Sequence, residues 1–576
     1  MTWATRLRSL LPQREDWEAV KRSPRRDLIA GVTVAIVALP LALAFGATSG
    51  LGAQAGLVTA VIAGAVAAVF GGSNLQVSGP TGAMTVVLVP VIHRFGANGV
   101  FMVGAMAGVV LIVLAAARLG RYVRYLPMPV LEGFTAGIAV VIALQQVPAA
   151  LGIDGAHGDK VWQVALDAAG RFASHPHPAP LLIALGVAAA MLTGARWRPG
   201  IPFSLVAIVA ATLLTQVVPL NVVVLGRIPS GIPAPSLSFT DLGAVGMLLP
   251  SALAVAALAA LESLLSATVA DGMSVNQRHD PDRELFGQGL ANLVTPIFGG
   301  LPATAAIART AVNARAGASS KLAALVHALV LAAIVYTAGS LVSHIPLSAL
   351  AGVLLATTVR MVDPAALRAL ARSTRGDAAV LALTFLVTVA VDLVTAVAVG
   401  VAVAMVVALR AIARSTTLEQ VPLDHEDHTA EEHQLLSEHI VAYRPDGPLF
   451  FGAANRFLMD LTDVAHVEVI ILRMSRISTM DATGAHILGD AISHLERRGI
   501  TILMSGITDT HHELLTTLGV AQALRDKRRV FPDTPSAIAY ARRVIHDGQQ
   551  GHATPAQDAA TQTLANDPSH RQLAPR

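Results

Sequence analysis

The sequence predicts an α-helical polytopic membrane protein with fourteen spans in two inverted repeats of seven, followed by a small soluble α/β domain. Three observations carry the prediction. Hydrophobic residues make up 54% of the chain and charged residues 14%, too apolar a balance for an ordinary soluble protein. Between Leu28 and Ala408 the ionisable residues fall mostly in short clusters that separate long apolar runs. The tripeptide Phe-Gly-Gly occurs at Phe70-Gly71-Gly72 and again at Phe298-Gly299-Gly300, and each copy opens a break in an apolar segment.

The breaks are alike. The first continues through Ser78-Gly79-Pro80-Thr81-Gly82-Ala83 into an apolar run, the second through Leu301-Pro302-Ala303-Thr304-Ala305. Both read as a helix that stops, bends and restarts on small residues. Lipid offers no partner for the backbone groups a break frees, so such a break must lie inside protein or at a watery cavity. Broken segments in corresponding places of two halves point to a transporter's binding site.

A span needs about 20 apolar residues, fewer where the helix is broken. The first candidates lie near 28–47, 54–71, 80–93, 99–117, 129–148, 179–195 and 201–218. The second set lies near 248–270, 285–298, 303–314, 321–342, 346–361, 378–391 and 394–411. The third member of each set is the short segment after a break, and an odd number per repeat inverts the second repeat. Loop charges agree. With a cytoplasmic N-terminus, Arg118, Arg121, Arg124, Arg196, Arg198, Arg278, Arg283, Arg315, Lys321, Arg368, Arg372 and Arg375 fall inside. The opposite side receives Arg94, Lys160, Arg171 and Arg227, and the C-terminus returns to the cytoplasm. The expected location is the inner (plasma) membrane. Seven basic residues from Arg6 to Arg26 precede the first span with no cleavage site, which argues against a secretory signal.

The expected organisation is a cytoplasmic segment at 1–27, a transmembrane domain at 28–414, a linker at 415–438, a soluble domain at 439–545 and a disordered tail at 546–576. The linker histidines His425, His428, His433 and His439 have irregular spacings and read as solvated, not as a metal site. In the soluble domain, Val467 to Leu472 and Ile500 to Met504 read as strands, and Thr483 to Arg498 as a helix with Ile487, Ile492 and Leu495 inward. A net charge of +3 excludes nucleic acid as an obvious partner, and the absence of cysteine excludes disulfides and thiolate chemistry.

Two of the charged residues inside the spans stand out. Glu262 is in the middle of the Leu248 to Ala270 run, where a carboxylate is costly unless it faces a cavity or a partner. Ser266 is one turn on, so the pair could hold sodium, or Glu262 alone a proton. Arg309 sits one to two turns past Pro302, beside the start of the second short helix. Helix N-termini carry about half a positive charge each and unsatisfied N–H groups. Two of them with Arg309 make a cavity that favours an anion. No phosphate-loop Gly-Lys-Ser/Thr, HExxH, GxSxG or paired catalytic carboxylates occur, so neither an enzyme nor a cofactor is expected.

Four stretches carry a resemblance: Ala38-Leu39-Pro40-Leu41-Ala42-Leu43-Ala44-Phe45-Gly46, Gly79-Pro80-Thr81-Gly82, Glu262-Ser263-Leu264-Leu265-Ser266 and Gly287-Gln288-Gly289-Leu290-Ala291-Asn292. The chain from about Asp27 to Ile545 resembles the sulfate permease (SulP) anion transporters. The resemblance implies a core domain that moves against a gate domain and a substrate site between the third and tenth spans. It also implies a cytoplasmic STAS domain and a homodimer. Carried over by motif, the substrate-binding residues are Phe45, Thr81, Gly82, Ala83, Thr304, Ala308 and Arg309, and the coupling-cation residues are Glu262 and Ser266. Asp481-Ala482-Thr483-Gly484 matches the loop that carries a phosphorylatable residue in anti-sigma-factor antagonists, which makes Thr483 the candidate phosphosite. Leu41 is similar to the bicarbonate branch and Arg309 to sulfate-type members, while Glu262 in place of Asp is commoner in proton-coupled relatives.

The expectation is a secondary transporter of bicarbonate or sulfate, coupled to a proton or sodium ion, in a lipid bilayer, with a cytoplasmic protein partner for the STAS domain. The alternatives are a C4-dicarboxylate carrier, a channel, and a membrane-anchored sensor that acts through its soluble domain.

Overall fold

The computed structural model describes residues 8–553 apart from 159, 199–200, 227–228, 230, 275–276, 416, 422–438, 451–466, 521–523 and 525–527. Arg227, the linker histidines His425, His428 and His433, and the tail beyond 553 lie outside the described residues. The chain divides into two compact units, Met1–Ala404 and Met405–Arg576.

The first unit opens with α1 (Arg14–Arg22), a polar amphipathic helix, and α2 (Pro24–Thr48), which starts on a proline that needs no hydrogen-bond partner there. Helix α3 (Ala53–Phe70) stops at the first Phe-Gly-Gly, where Gly71 turns extended. After strand β1 (Ser78–Gly79) comes α4 (Gly82–Ala116), which joins the third and fourth expected spans across a kink at Gly96, φ 66°. Such a left-handed backbone favours glycine. Then follow α5 (Met128–Leu151), α6 (Val161–Ser174), α7 (Pro178–Trp197) and α8 (Phe203–Val217).

The second half repeats the plan with α9 (Val245–Met273), α10 (Pro281–Val294), β2 (Thr304–Ala305) and the short α11 (Ile307–Arg315). It continues through α12 (Leu322–Thr337), α13 (Gly339–Val342), α14 (Leu347–Met361), α15 (Pro364–Ser373), α16 (Arg375–Ala390) and α17 (Leu393–Ser415). Among the described residues, eight helices are long and apolar enough to cross a membrane, and α8 and α12 are shorter apolar helices. Helix α11 has 9 residues and rises about 14 Å, roughly half the hydrocarbon thickness. Leu182, Leu213, Leu329, Leu386 and Val406 are exposed on these helices, apolar surface that suits lipid and not water.

In the second unit a sheet runs β3 (Thr417–Val421), β4 (Ile440–Leu449), β5 (Val469–Arg473), β7 (Thr501–Ser505) and β8 (Val530–Phe531), with β6 (Ile477–Met480) also paired to β4. All pairings are parallel except β3 with β4. Strand β5 is buried on both faces. Ile470 and Leu472 pack with Leu488 and Leu495 of α18 (Ala482–Arg497). Val469 and Ile471 pack with Ala537 and Ala541 of α20 (Thr534–Ala553). A strand covered on both faces reads as an unbroken apolar run, which is why Val-Ile-Ile-Leu is legible. Helix α19 (Asp509–Thr517) precedes α20.

Three expectations change. Residues 417–421, assigned to the linker, form the edge strand β3 antiparallel to β4, because backbone pairing needs no apolar pattern. The tail's expected start at 546 falls inside α20, since a helix nucleated by its packed part propagates at little cost. Ile487 is only partly buried, while Leu488 and Ala491 take the inward positions.

Candidate functional site

The two breaks meet. Strands β1 and β2 pair antiparallel, with Ser78 opposite Ala305 and Gly79 opposite Thr304. Each break thus supplies the backbone partners that the other needs and lipid cannot give.

Helix α10 holds both breaks with one face. Glu284 accepts from the Gly72 and Ser73 amides at 3.0 and 3.2 Å. One turn on, Gln288 Nε2 donates to Ser78 Oγ at 2.6 Å and to Glu284 at 3.0 Å. Another turn on, Asn292 brackets the second break: its Oδ1 accepts from the Ala303 amide and its Nδ2 donates to the Ala303 carbonyl, both at 2.8 Å. Gly287 lets α10 come this close, because a Cβ there would overlap Gly71. Helix α11 ties back to the first break. Thr310 Oγ1 accepts from the Val77 amide at 3.2 Å, and Asn313 Nδ2 donates to the Leu75 carbonyl at 2.8 Å.

At the centre lies Arg309, only 2% exposed. Its Nη2 donates to the Pro80 carbonyl at 2.9 Å, and its Nη1 has no hydrogen-bond partner among the described residues. Gly79 makes room for Nη1, which a Cβ there would strike. On the next residue, Thr81 Oγ1 donates to Glu262 Oε2 at 3.0 Å. Thr81 is the residue before α4, and neither α4 nor α11 has its first turn capped by a side chain. The N–H groups of both first turns thus donate to no capping side chain.

The residues expected to bind substrate divide. Thr81, Gly82 and Arg309 gather at the strand pair. Phe45 borders the start of α4: a Cβ at Gly82 would lie 3.1 Å from its ring and overlap Ile142 of α5. Ala83 is buried in the first turn of α4, and Ala308 is exposed in the first turn of α11. Thr304 turns away into α9, bonded to Ser263 Oγ at 2.9 Å and to the Ala259 carbonyl at 3.3 Å. Ser266 is likewise committed elsewhere. Its hydroxyl donates to Thr310 Oγ1 at 2.9 Å while Glu262 serves Thr81. Thr310 takes it because its oxygen already anchors the Val77 amide inside the break. Ser263, Glu284, Gln288, Asn292, Thr310 and Asn313 were not singled out as site residues by their chemistry. The turn-by-turn spacing of Glu284, Gln288 and Asn292 is the signal that could have found three of them.

A separate cavity of about 340 Å³ opens at the Thr48 end of α2, lined by Gln145, Gln146, Asp154 and Ser348 among others and by no basic residue. In the second unit, Asp481 caps α18 by accepting from the Gly484 amide at 2.7 Å, and Thr483 is exposed on the first turn.

The model of the sulfate permease family matches residues 25–384. The chain belongs to the sulfate permease family. The STAS domain model matches residues 435–537 of this permease. Over 510 residues the chain is 34% identical to YvdB of Bacillus subtilis, provisionally named a sulfate transporter, covering 86% of this chain and 94% of that one. Over 535 residues it is 32% identical to the bicarbonate transporter BicA of Picosynechococcus, covering 89% and 93%. The fold is shared with the murine Solute Carrier 26 family member A9 anion transporter in its inward-facing state, with a TM-score of 0.78 at 18% identity over 93% and 94% of the two chains. The permease is thus of the sulfate and bicarbonate transporter type, a helical transmembrane domain with a STAS domain.

Proposed function

We propose that this permease is a secondary active transporter of a small inorganic oxyanion, sulfate or bicarbonate, coupled to a proton or sodium ion and working by alternating access. One observation carries the reading: two uncapped helix starts meet at a buried arginine whose Nη1 has no hydrogen-bond partner among the described residues. An oxyanion there takes hydrogen bonds from the first-turn N–H groups of α4 and α11, and Arg309 supplies the counter-charge. Phe45 and Ala308 border the ligand. Glu262 of α9, bonded to Thr81 one residue along the bend, carries the coupling cation. A cation bound there offsets the work of moving an anion against an interior-negative potential, about 2.3 kcal/mol per charge per 100 mV.

In this reading fourteen spans cross the inner membrane with both termini cytoplasmic, and helices of the α5–α8 and α14–α17 groups move against the elements that hold the breaks. The STAS domain serves regulation or assembly of a homodimer, and Thr483 is its modification site.

Purified permease in proteoliposomes tests the reading. Sodium and pH gradients are imposed separately while labelled sulfate and bicarbonate are followed. Concentrative uptake of one anion under one gradient is expected. Flux that ignores both gradients would make the protein a channel, and partner binding without flux would make it a sensor.

A further inference from the structure

Among the described residues, one fully buried histidine has no part in the machinery above. His327 lies in α12, which packs against α2 and α3. It is 0% exposed, and neither ring nitrogen has a hydrogen-bond partner among the described residues. A buried polar group without a partner is costly, and a native structure that keeps one calls for an explanation.

Its surroundings supply one. On α3, a Cβ at Gly64 would lie 3.4 Å from the Ser78 carbonyl and 3.7 Å from His327 Nδ1. One turn earlier on α3, Ala60 Cα approaches Gly79, the residue against which Arg309 Nη1 rests. The contacts of the imidazole and of the guanidinium thus fall at neighbouring turns of α3, beside β1, which leads into Pro80 and Thr81. Other charges on the packed elements are remote or engaged. Helix α3 has no titratable residue, and α2 has only Arg25, Arg26 and Asp27 at its start. Asp27 is bound to Ser319 and Ser320, and Lys321 at the start of α12 donates to the Val69 and Gly71 carbonyls. Arg315 ends α11, and Glu262 lies beyond Arg309.

We infer that His327 is a second proton-binding site, linked through Arg309 to occupancy of the anion site. This rests on the anion binding at Arg309. With the site empty, burial of the ring and then the guanidinium charge oppose an imidazolium at His327. An oxyanion on Arg309 cancels that charge, and one ring nitrogen takes a proton from water. On release of the anion the proton returns to water. Anion and proton then favour each other's binding, and by linkage the effect is reciprocal.

Full-length permease in detergent provides the test, with inorganic sulfate and bicarbonate as probes. Calorimetry in two buffers of different ionisation enthalpy counts the protons taken up per anion bound, across the pH range in which the protein stays folded. Wild type is expected to take up protons and to lose affinity as pH rises, by up to about tenfold per pH unit for one coupled proton. His327→Gln should bind the anion with that pH dependence flattened and its proton uptake reduced, whereas Glu262→Gln should keep the His327 share. If His327→Gln does not fold, His327→Leu removes the unpartnered nitrogens and is read the same way. Proton uptake and pH dependence equal to wild type in the folded His327 variant would overturn the linkage and leave the anion site standing. No anion binding by wild type would remove the anion site and the linkage with it.

Discussion

Arg309 and Glu262 grip adjacent residues of one bend: Arg309 Nη2 donates to the Pro80 carbonyl at 2.9 Å, and Glu262 accepts from Thr81 Oγ1 at 3.0 Å. The charges come from different helices, α11 and α9, and each makes its hydrogen bond to this two-residue segment and not to the other. In the proposed mechanism a ligand at either one would be felt by the other through Pro80 and Thr81. Binding of an anion and of a cation can therefore be coupled without a protein ion pair having to break.

Arg309→Ala should lower anion affinity by about 100-fold or more, since removing one partner of a buried charge contact costs roughly 3–5 kcal/mol. Arg309→Lys should recover little, because an ammonium has no planar fork for both Pro80 and an oxyanion. Calorimetry on the folded variants decides. Affinity equal to wild type would move the anion elsewhere.

Gly79→Ala should reproduce much of the Arg309→Lys defect without touching a charge. The new methyl would occupy the place of Nη1. Anion titrations of both variants side by side are the check, and a Gly79→Ala protein that binds like wild type would mean the guanidinium can shift at no cost.

Glu262→Gln keeps an oxygen that can accept from Thr81 and removes the charge. Anion exchange should persist while accumulation driven by a cation gradient is lost. Proteoliposomes under separate sodium and pH gradients show which ion is used. Concentrative uptake by the Gln variant equal to wild type would remove Glu262 from coupling.

Asp16 of α1 pairs with Arg283 Nη2 at 2.5 Å and with Lys321 Nζ at 3.5 Å. Lys321 in turn donates to Gly71 at 2.7 Å, which ties α1 to the first break. Burial raises the Asp16 carboxyl, but the hydrogen bonds from Arg283 and Gln13 and the charges of Lys321 and Arg283 outweigh it and hold the group below its ordinary value. A depressed carboxylate stabilises the fold above its unfolded pKa, near 4, and loses that contribution as pH falls through the folded value. Asp16→Asn should cost about 1.5–3 kcal/mol at neutral pH and flatten the loss of thermal stability below about pH 4. Melting curves across pH test both, and identical curves would release α1 from this role.

Much of this is legible in the sequence, for identifiable reasons. Glycine and proline punctuate backbone, so the two breaks stand out, and the distance from Pro302 puts Arg309 beside a helix start. What pairs with what is not legible. The register of Ser78 with Ala305 depends on a contact across more than two hundred residues, which no local pattern reports. Helical spacing puts Ser266 on a face with Glu262 but cannot say that the Thr310 hydroxyl will claim it. Polar residues one turn apart on α10 fit a cavity lining as well as a brace, and only the partners of Glu284, Gln288 and Asn292 decide between them. His327 reads as one polar residue in an apolar run, and its meaning depends on the strand across Gly64.

The brace has a consequence for how such a protein could change its cargo. Both half-sites hang from one rod, so the gap between them is set by the pitch of an α-helix and not by loops that drift. The backbone donors cannot be spread or narrowed by a point substitution without rebuilding α10. At the proposed anion site, adaptation to a larger or smaller anion would be left to the side chains at the rim, Phe45 and Ala308 foremost. A lineage could trade one oxyanion for another there while the frame that presents them stays untouched.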